Sequence, residues 1–473
     1  MSATSGNPAL MTPPPLHGWR LVLAALALAL SNFVVVLDIT IANVSVPHIA
    51  GSLAITQSQG TWVVTSYSVA EAISVPLAGW LAGRFGAVRV LIFGMSGFAL
   101  FSVLCGLAPT LEVLIAFRVM QGFCGGPIVP MSQTLMLRVF PQNKAPMALG
   151  VWSMTTVVAP IAGPILGGVI SDNWTWPWIF YINLPVVALC VTLIWQIVRG
   201  HETPTARNPI DYVGLVLLIV WVGTLQIMLD KGREEDWFAS SFIIGTALVA
   251  GIGFITFLIW ELTDAHPIVN LSVFRHRGFS FGAAIQSLIY GAFFAGIVLI
   301  PLFLQSNLGY TATSAGQAAA FLGVLAVVFS PIAAQLVSRV DVRLLVTFGV
   351  VWMSLTTYLR SGWVTDMNFY TVALPQFVQG LAMPFFFIGT TSIALGAVKP
   401  EETASAAGSL NFLRTLAGAV ATSVGTTIWE NRIATSHDDL AGALQNTGPM
   451  LQQLMHTGMS HAQAIAALDR IVQ

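Results

Sequence analysis

Charge is what this sequence has least of. Asp, Glu, Lys and Arg together make up 8% of its 473 residues, where a soluble globular chain carries roughly 25%. With 56% hydrophobic residues and a mean hydropathy of +0.80, an ordinary water-soluble domain is excluded and an integral membrane protein is implied. The 19 basic and 20 acidic residues balance to −1, and no basic tract or base-stacking motif stands out, so nothing points to nucleic acid. Cysteine is scarce as well. Cys105, Cys124 and Cys190 all fall inside apolar runs, which leaves no disulfide framework and no thiolate metal set. No intramembrane metal-ligand spacing, nucleophile–base constellation or nucleotide loop is visible, so neither a metal, a cofactor nor enzyme activity is expected.

What the chain does have is long apolar runs. Counting those of about 20 residues, the length that crosses a bilayer, gives thirteen spans, from 20–40 through 59–79, 112–136, 147–170, 177–198 and 369–394 to 404–428. The first run is too long for a signal-peptide core and is followed by no small-residue cleavage site, so it is read as helix one. Twelve of the nineteen Lys and Arg residues, among them Arg20, Arg84, Arg89, Arg138, Arg207 and Lys399, fall on one side if the N-terminus is cytoplasmic. Lys231 and Arg233 on the other side are diluted by Asp230, Glu234, Glu235 and Asp236. The positive-inside rule therefore predicts a cytoplasmic N-terminus. Thirteen crossings would leave the polar tail 431–473 outside the cytoplasm, and the odd count suggests that a fourteenth helix is missing.

One run is unusual in its backbone. Residues 159–168 read Ala-Pro-Ile-Ala-Gly-Pro-Ile-Leu-Gly-Gly, which stacks Pro160 and Pro164 beside Gly163, Gly167 and Gly168. A soluble helix would break there, whereas membrane neighbours can re-satisfy the groups that Pro frees and glycines admit a second helix to backbone contact. The segment is expected to bend or to pack tightly.

Ordered motifs then carry a resemblance. Leu37-Asp38-Ile39-Thr40-Ile41-Ala42-Asn43-Val44 in helix one, Gly79 to Arg89 after helix two, Arg118-Val119-Met120-Gln121-Gly122 in helix four and the Gly-Pro run in helix five resemble the fourteen-span drug:proton antiporter branch of the major facilitator superfamily. Trp176 to Pro185, Asp230-Lys231-Gly232-Arg233, Trp260 to Asp264, Pro375 to Gly380 and Asn411 to Gly418 are similar to EmrB-type multidrug pumps. The resemblance covers nearly the whole chain. It implies an all-α major facilitator fold of two six-helix bundles plus two linker helices, with the last helix absent. The expected division is a cytoplasmic segment 1–19, an N-terminal bundle 20–198, an inserted pair with its loops over 199–278, a C-terminal bundle 279–428 and a periplasmic tail 429–473. It further implies alternating access in a bacterial inner membrane, driven by the proton gradient, with a periplasmic adaptor and an outer-membrane channel as partners. Lipophilic small molecules are the expected cargo. A proton-coupled importer or uniporter would share the fold; a receptor or enzyme is the remote alternative.

The loop Gly79 to Arg89 keeps Gly79, Arg84, Gly86 and Arg89 but carries Gly83 where much of the superfamily has aspartate. The usual charge latch is therefore expected to be weakened, with the arginines either binding helix-end carbonyls or lipid phosphates, or acting as topology charges.

Candidate chemistry lies where charge survives inside the membrane, because an ionised group there costs roughly 2.5–3.5 kcal/mol and faces a cavity or a partner. Asp38 and Arg118 fall at similar depth, so Asp38 reads either as a proton-coupling acid or as a structural carboxylate paired with Arg118. Glu71 lies on a polar stripe with Tyr67, Ser68 and Ser74 at helical spacing and reads as a second coupling acid or a static hydrogen-bonded group. Arg414, near Asn411 and Thr415, reads as an anion-attracting group or half of an ion pair. Gln286, Tyr290, Gln376 and Gln379 add neutral polar groups for substrate, and Phe293, Phe294, Phe385, Phe386 and Phe387 an aromatic wall.

Overall fold

The computed structural model describes residues 13–206, 209–363 and 367–445, with Met455, Ser460 and Gln463 beyond them. Arg207, Arg470, residues 1–12 and most of the tail after 445 lie outside the described residues. The chain divides at Ala421 and Thr422 into two compact units. The second holds the latter part of the last helix, in which Thr426 Oγ1 donates to the Thr422 carbonyl 3.0 Å away.

The first unit is helical throughout its described elements. Its helices are α1 (Gly18–Ser52), α2 (Gln57–Ser74), α3 (Ala78–Phe85), α4 (Ala87–Gly106), α5 (Leu111–Gly125), α6 (Ile128–Val139), α7 (Ala145–Asn173), α8 (Trp178–Tyr181) and α9 (Asn183–Leu193). There follow α10 (Tyr212–Lys231), α11 (Ser241–Thr263), α12 (Arg277–Ser306), α13 (Ala312–Val337), α14 (Val342–Arg360), α15 (Phe369–Gly380), α16 (Ala382–Gly396) and α17, which starts at Thr403 and continues to Gln445. Among the described residues, eleven helical segments are long and apolar enough to span a membrane. The chain is a multi-pass membrane protein. The face at which α1 begins is called the near face below, and the opposite one the far face.

Several expected spans are divided. The run 59–79 becomes α2 and α3, 112–136 becomes α5 and α6 across Gly126-Pro127, and 369–394 becomes α15 and α16 at Leu381. The Gly-Pro run does the opposite. Pro160 and Pro164 lie inside an unbroken α7, and its glycines serve close packing. A side chain on Gly163 would collide with Thr40, and one on Gly167 would stand 2.9 Å from the Ile41 carbonyl oxygen. Helix α1 thus rides on the α7 backbone, and Asn32 Nδ2 ties the two by donating to Thr155 and Thr156 Oγ1 at 2.8 and 2.9 Å.

Helices α10 and α11 pack together, and α10 also lies against α2. Asp211 caps α10 by accepting from Gly214 N–H at 2.8 Å and reaches α11 by accepting from Trp260 Nε1 at 3.0 Å. Buried Glu261 accepts from Val269 N–H at 3.2 Å and secures the chain leaving the pair.

Helices α1–α9 meet α12–α17 along α7 and α13 and at the near face. There Gly79 of α3 abuts Ser405 of α17, so closely that a Cβ would fall 2.7 Å from Ser405 Cα. Gly408 lies against Val75 and Ala78, and Gly150 against Ala334. Asn411 Nδ2 donates across to Gln133 Oε1 at 2.7 Å. These contacts close the near face.

Candidate functional site

Asp38 and Arg118 meet in the interior, both side chains fully buried. Arg118 Nη1 donates to Asp38 Oδ2 at 2.5 Å. Burying two charges is compensated only when the remaining lone pairs and protons are also bonded, and most here are. Asp38 Oδ1 accepts from Asn183 Nδ2 at 2.7 Å and Gln121 Nε2 at 3.2 Å, while Arg118 also donates to Gln121 Oε1 at 2.8 Å and the Val63 carbonyl at 3.0 Å. The guanidinium stacks 4.2 Å from the centre of the Tyr67 ring. Ser102 Oγ accepts from Gln121 and Asn183, both at 3.2 Å, and donates to Phe180 O. One hub therefore binds α1, α2, α4, α5, α8 and α9. In the sequence Gln121 and Asn183 stand out only as parts of motifs; nothing in their neutral side chains marks them as carboxylate donors until the helices assemble.

Glu71 is also buried, 6% exposed, yet among the described residues no hydrogen bond reaches its carboxylate. Of its stripe, Tyr67 and Ser74 are buried as well, and Ser74 Oγ donates to the Glu71 and Gly122 carbonyls at 3.1 and 3.3 Å, seating α2 on α5.

In the second group of helices, Arg414 is 4% exposed, and among the described residues its Nε and Nη1 have no hydrogen-bond partner. Rings surround it: Tyr290 at 5.2 Å, Trp152 at 5.6 Å and Phe387 at 5.7 Å from the guanidinium carbon. Cation–π attraction offsets part of its desolvation, but the three N–H groups on those two nitrogens are left to bond something else. Tyr290 stacks on Phe294 and meets Phe387 edge-on at 5.8 Å. Phe385 does not join this wall and packs instead on Phe348 of α14. Gln286 accepts from Thr391 Oγ1 at 3.3 Å, while Gln376 Nε2 and Gln379 Oε1 are buried without partners among the described residues. Asn411 is occupied by Gln133 and the Ala407 carbonyl, at the near-face closure.

The loop after α3 is held by a residue that motif reading passed over. Glu202 accepts from Val88 N–H at 2.9 Å and Arg89 N–H at 3.2 Å, placing a carboxylate at the N-terminus of α4 where the helix dipole favours it. Thr203 Oγ1 accepts from Ala87 N–H at 2.9 Å, and Ala206 N–H donates to the Gly83 carbonyl at 2.7 Å. Gly86, with φ of +93°, supplies the turn, and a side chain there would run into Glu202. The carboxylate missing at Gly83 is thus not simply lost from this region; one arrives from the segment after α9. Arg84 lies over Trp80 and Phe85, and Arg138 anchors the Glu202 carbonyl at 2.9 Å.

Comparison with known proteins agrees with this architecture. The family model described as Major Facilitator Superfamily matches residues 28–423. The multidrug export protein EmrB of Haemophilus influenzae is 48% identical over 460 residues, covering 96% of this chain and 90% of that protein. EmrB of Escherichia coli is 47% identical, covering 95% and 89%, and the fatty acid resistance protein FarB of Neisseria gonorrhoeae 44% identical, covering 98% and 92%. Among solved structures, the proton:xylose symporter XylE superposes with a TM-score of 0.59 over 88% of this chain and 90% of its own, at 13% identity. The human organic anion transporter MFSD10 gives 0.56 over 86% and 92%, at 14% identity; at such identities the likeness concerns the fold alone. With a matched model over most of its length and relatives near half identity, this chain belongs to the Major Facilitator Superfamily of membrane transporters.

Proposed function

We propose that this chain is a proton-driven antiporter that exports hydrophobic or amphipathic toxic compounds across a bacterial inner membrane, with its N-terminus in the cytoplasm. The observation that carries the reading is the Asp38–Arg118 pair, a carboxylate buried in the membrane interior with a bonded cation and two amide donors. The similarity to multidrug export proteins and to a fatty acid resistance protein supports lipophilic cargo.

In this mechanism Asp38 and Glu71 are the proton-coupling acids. Protonating Asp38 removes the counter-charge of Arg118 and loosens the hub that joins α1 to α5 and α9. Helix α1 is then free to shift on the glycine face of α7, and the near-face contacts of Gly79 and Asn411 open or close with it. Proton and substrate drive this change only through their different affinities for the two arrangements. The cargo lies among Gln286, Tyr290, Gln376, Gln379 and Arg414. Resemblance to EmrB-type pumps extends the proposal to a periplasmic adaptor and an outer-membrane channel.

The test is substrate-dependent proton movement in proteoliposomes under an imposed pH gradient, with a panel of dyes, organic cations and lipophilic acids and protein-free controls. Coupled flux in the native protein that disappears in Asp38→Asn or Glu71→Gln supports antiport. Substrate flux that ignores the pH gradient would replace antiport with uniport.

A further inference from the structure

Glu71 and Arg414 are two buried groups of opposite charge that belong to different halves of the first unit, and neither has a bonded counter-ion. No ion pair joins them and no hydrogen bond reaches the Glu71 carboxylate among the described residues, while Nε and Nη1 of Arg414 are orphaned. They nevertheless lie at similar depth. Gly408 of α17 contacts Val75 of α2, with a Cβ position 3.3 Å from the Val75 carbonyl oxygen. The two helices run in opposite directions from that contact. Glu71 is four residues and Arg414 six residues farther from the near face, or about 6 and about 9 Å at the helical rise. Phe412 and Leu416 of α17 pack into the cluster that holds Ala72 and Ile73 of α2, which keeps the helices side by side over this stretch. The two charges act on one another electrostatically, and both act on Tyr290, whose ring lies 5.2 Å from the Arg414 guanidinium carbon.

The other charged and titratable groups facing Glu71 are accounted for. Asp38 on α1 and Arg118 on α5 neutralise each other. Tyr67 on α2 covers Arg118, and Tyr290 on α12 lies against Arg414. On α10, Lys231 bonds Thr61 at the far end of α2, and Asp230 stands beside Gln226 and Thr65. What remains is one carboxylate and one guanidinium, with zero net charge, separated by more than contact distance, the guanidinium walled by Trp152, Tyr290 and Phe387.

We infer that this is a binding site for zwitterionic amphiphiles, whose anionic group bonds the free N–H groups of Arg414, whose cationic group meets Glu71, and whose apolar body lies against the three rings. A ligand carrying both charges satisfies both orphans at once and brings no net charge into the membrane interior; a simple anion or cation satisfies one and leaves the other exposed to a low-dielectric setting. The inference rests on the export reading above and refines its substrate class. It also fits antiport. A proton on Glu71 removes the carboxylate charge that holds the cationic group, so proton and ligand compete for Glu71.

The experiment is equilibrium binding to the full chain in lipid nanodiscs, without any gradient, using four probes of one shape: 6-(aminomethyl)-2-naphthoic acid, 2-naphthoic acid, 2-naphthylmethylamine and 2-naphthamide. The first stays doubly charged between about pH 5 and pH 8. The expected result is that it binds about tenfold or more tighter than each of the others, the effect of adding one charge-assisted contact. Arg414→Gln should bring its affinity down to that of the amine, and Glu71→Gln down to that of the naphthoate while removing the fall in affinity at low pH. Arg414→Lys and Glu71→Asp, which keep the charges, should retain the preference in part. Equal binding of the four probes by the native protein overturns the proposal whatever the variants do, as does a preference that survives Glu71→Gln and Arg414→Gln in folded protein. Zwitterion binding without coupled flux would instead overturn antiport alone, and coupled export with no zwitterion preference would overturn this inference alone.

Discussion

Arg118 donates to Asp38 across 80 residues of sequence, and the same carboxylate takes further hydrogen bonds from Gln121 and Asn183. Three helices that are distant in the chain are thereby referred to one ionised group. Removing one member of such a buried pair leaves the other uncompensated, at a cost of roughly 3–5 kcal/mol. Asp38→Asn should therefore lower the melting temperature of the purified protein markedly, and Asp38→Asn combined with Arg118→Gln should recover part of the loss. A double variant no more stable than the single one would show that the pair is not the source of the penalty.

At the near face Gly79 abuts Ser405 so closely that a Cβ on it would fall 2.7 Å from Ser405 Cα. Gly79→Val should hold α3 and α17 apart and raise the reactivity of a cysteine introduced at Gln133 toward a water-soluble maleimide added from that side. Gly83→Asp places a side chain into open space and should leave both labelling and folding unchanged. Equal labelling of the two variants would separate Gly79 from closure.

Glu202 acts on the first turn of α4 much as an N-terminal cap does. Glu202→Ala should cost about 1 kcal/mol, read as a lowered thermal midpoint, with Glu202→Gln intermediate because the amide oxygen still accepts. Gly86→Ala should cost more, since φ of +93° and the Glu202 side chain both oppose a Cβ.

A pH effect is expected where α12 and α17 begin. His276 Nε2 lies 3.0 Å from Glu402 Oε2, and Lys399 N–H donates to the same oxygen at 3.1 Å. The Lys399 amide, followed by His276, holds the Glu402 carboxyl below its ordinary range. A carboxyl lowered in the folded state contributes stability above its unfolded value, about pH 4.3 for Glu, and loses it as pH falls through the lowered folded value. Partial exposure of both side chains makes the effect small. Thermal midpoints compared at pH 6 and pH 3 should differ less in Glu402→Gln than in the native protein; identical differences would remove Glu402 as a contributor.

Much of the site was legible because polar groups in apolar runs are few. Asp38, Glu71, Arg118 and Arg414 stand out in the sequence by residue type alone, and all four are buried. Their partners were not legible. Asn411, read as a substrate group, is engaged at the near-face closure with Gln133, a residue of no visible distinction, because a neutral amide has meaning only through what stands opposite it. Phe385 and Phe387 are two positions apart, yet the helix turns one toward Phe348 and the other toward Tyr290. The Gly-Pro run allowed bending or tight packing; contact with Thr40 and Ile41 selects packing in this arrangement.

The sequence by itself determined that the chain crosses a membrane many times, because transfer of an apolar run into lipid is a local property summed over its own side chains. It also determined which few charges would be buried, since each must lie wherever its span lies. Only the tertiary structure decided how those charges are compensated. Asp38 finds Arg118, a segment far beyond Gly83 delivers the Glu202 carboxylate to α4, and among the described residues Glu71 and Arg414 are left without a bonded counter-ion. Electrostatic and hydrogen-bond energies depend on separations of a few ångströms, and between residues tens or hundreds of positions apart those separations exist only once the helices have packed.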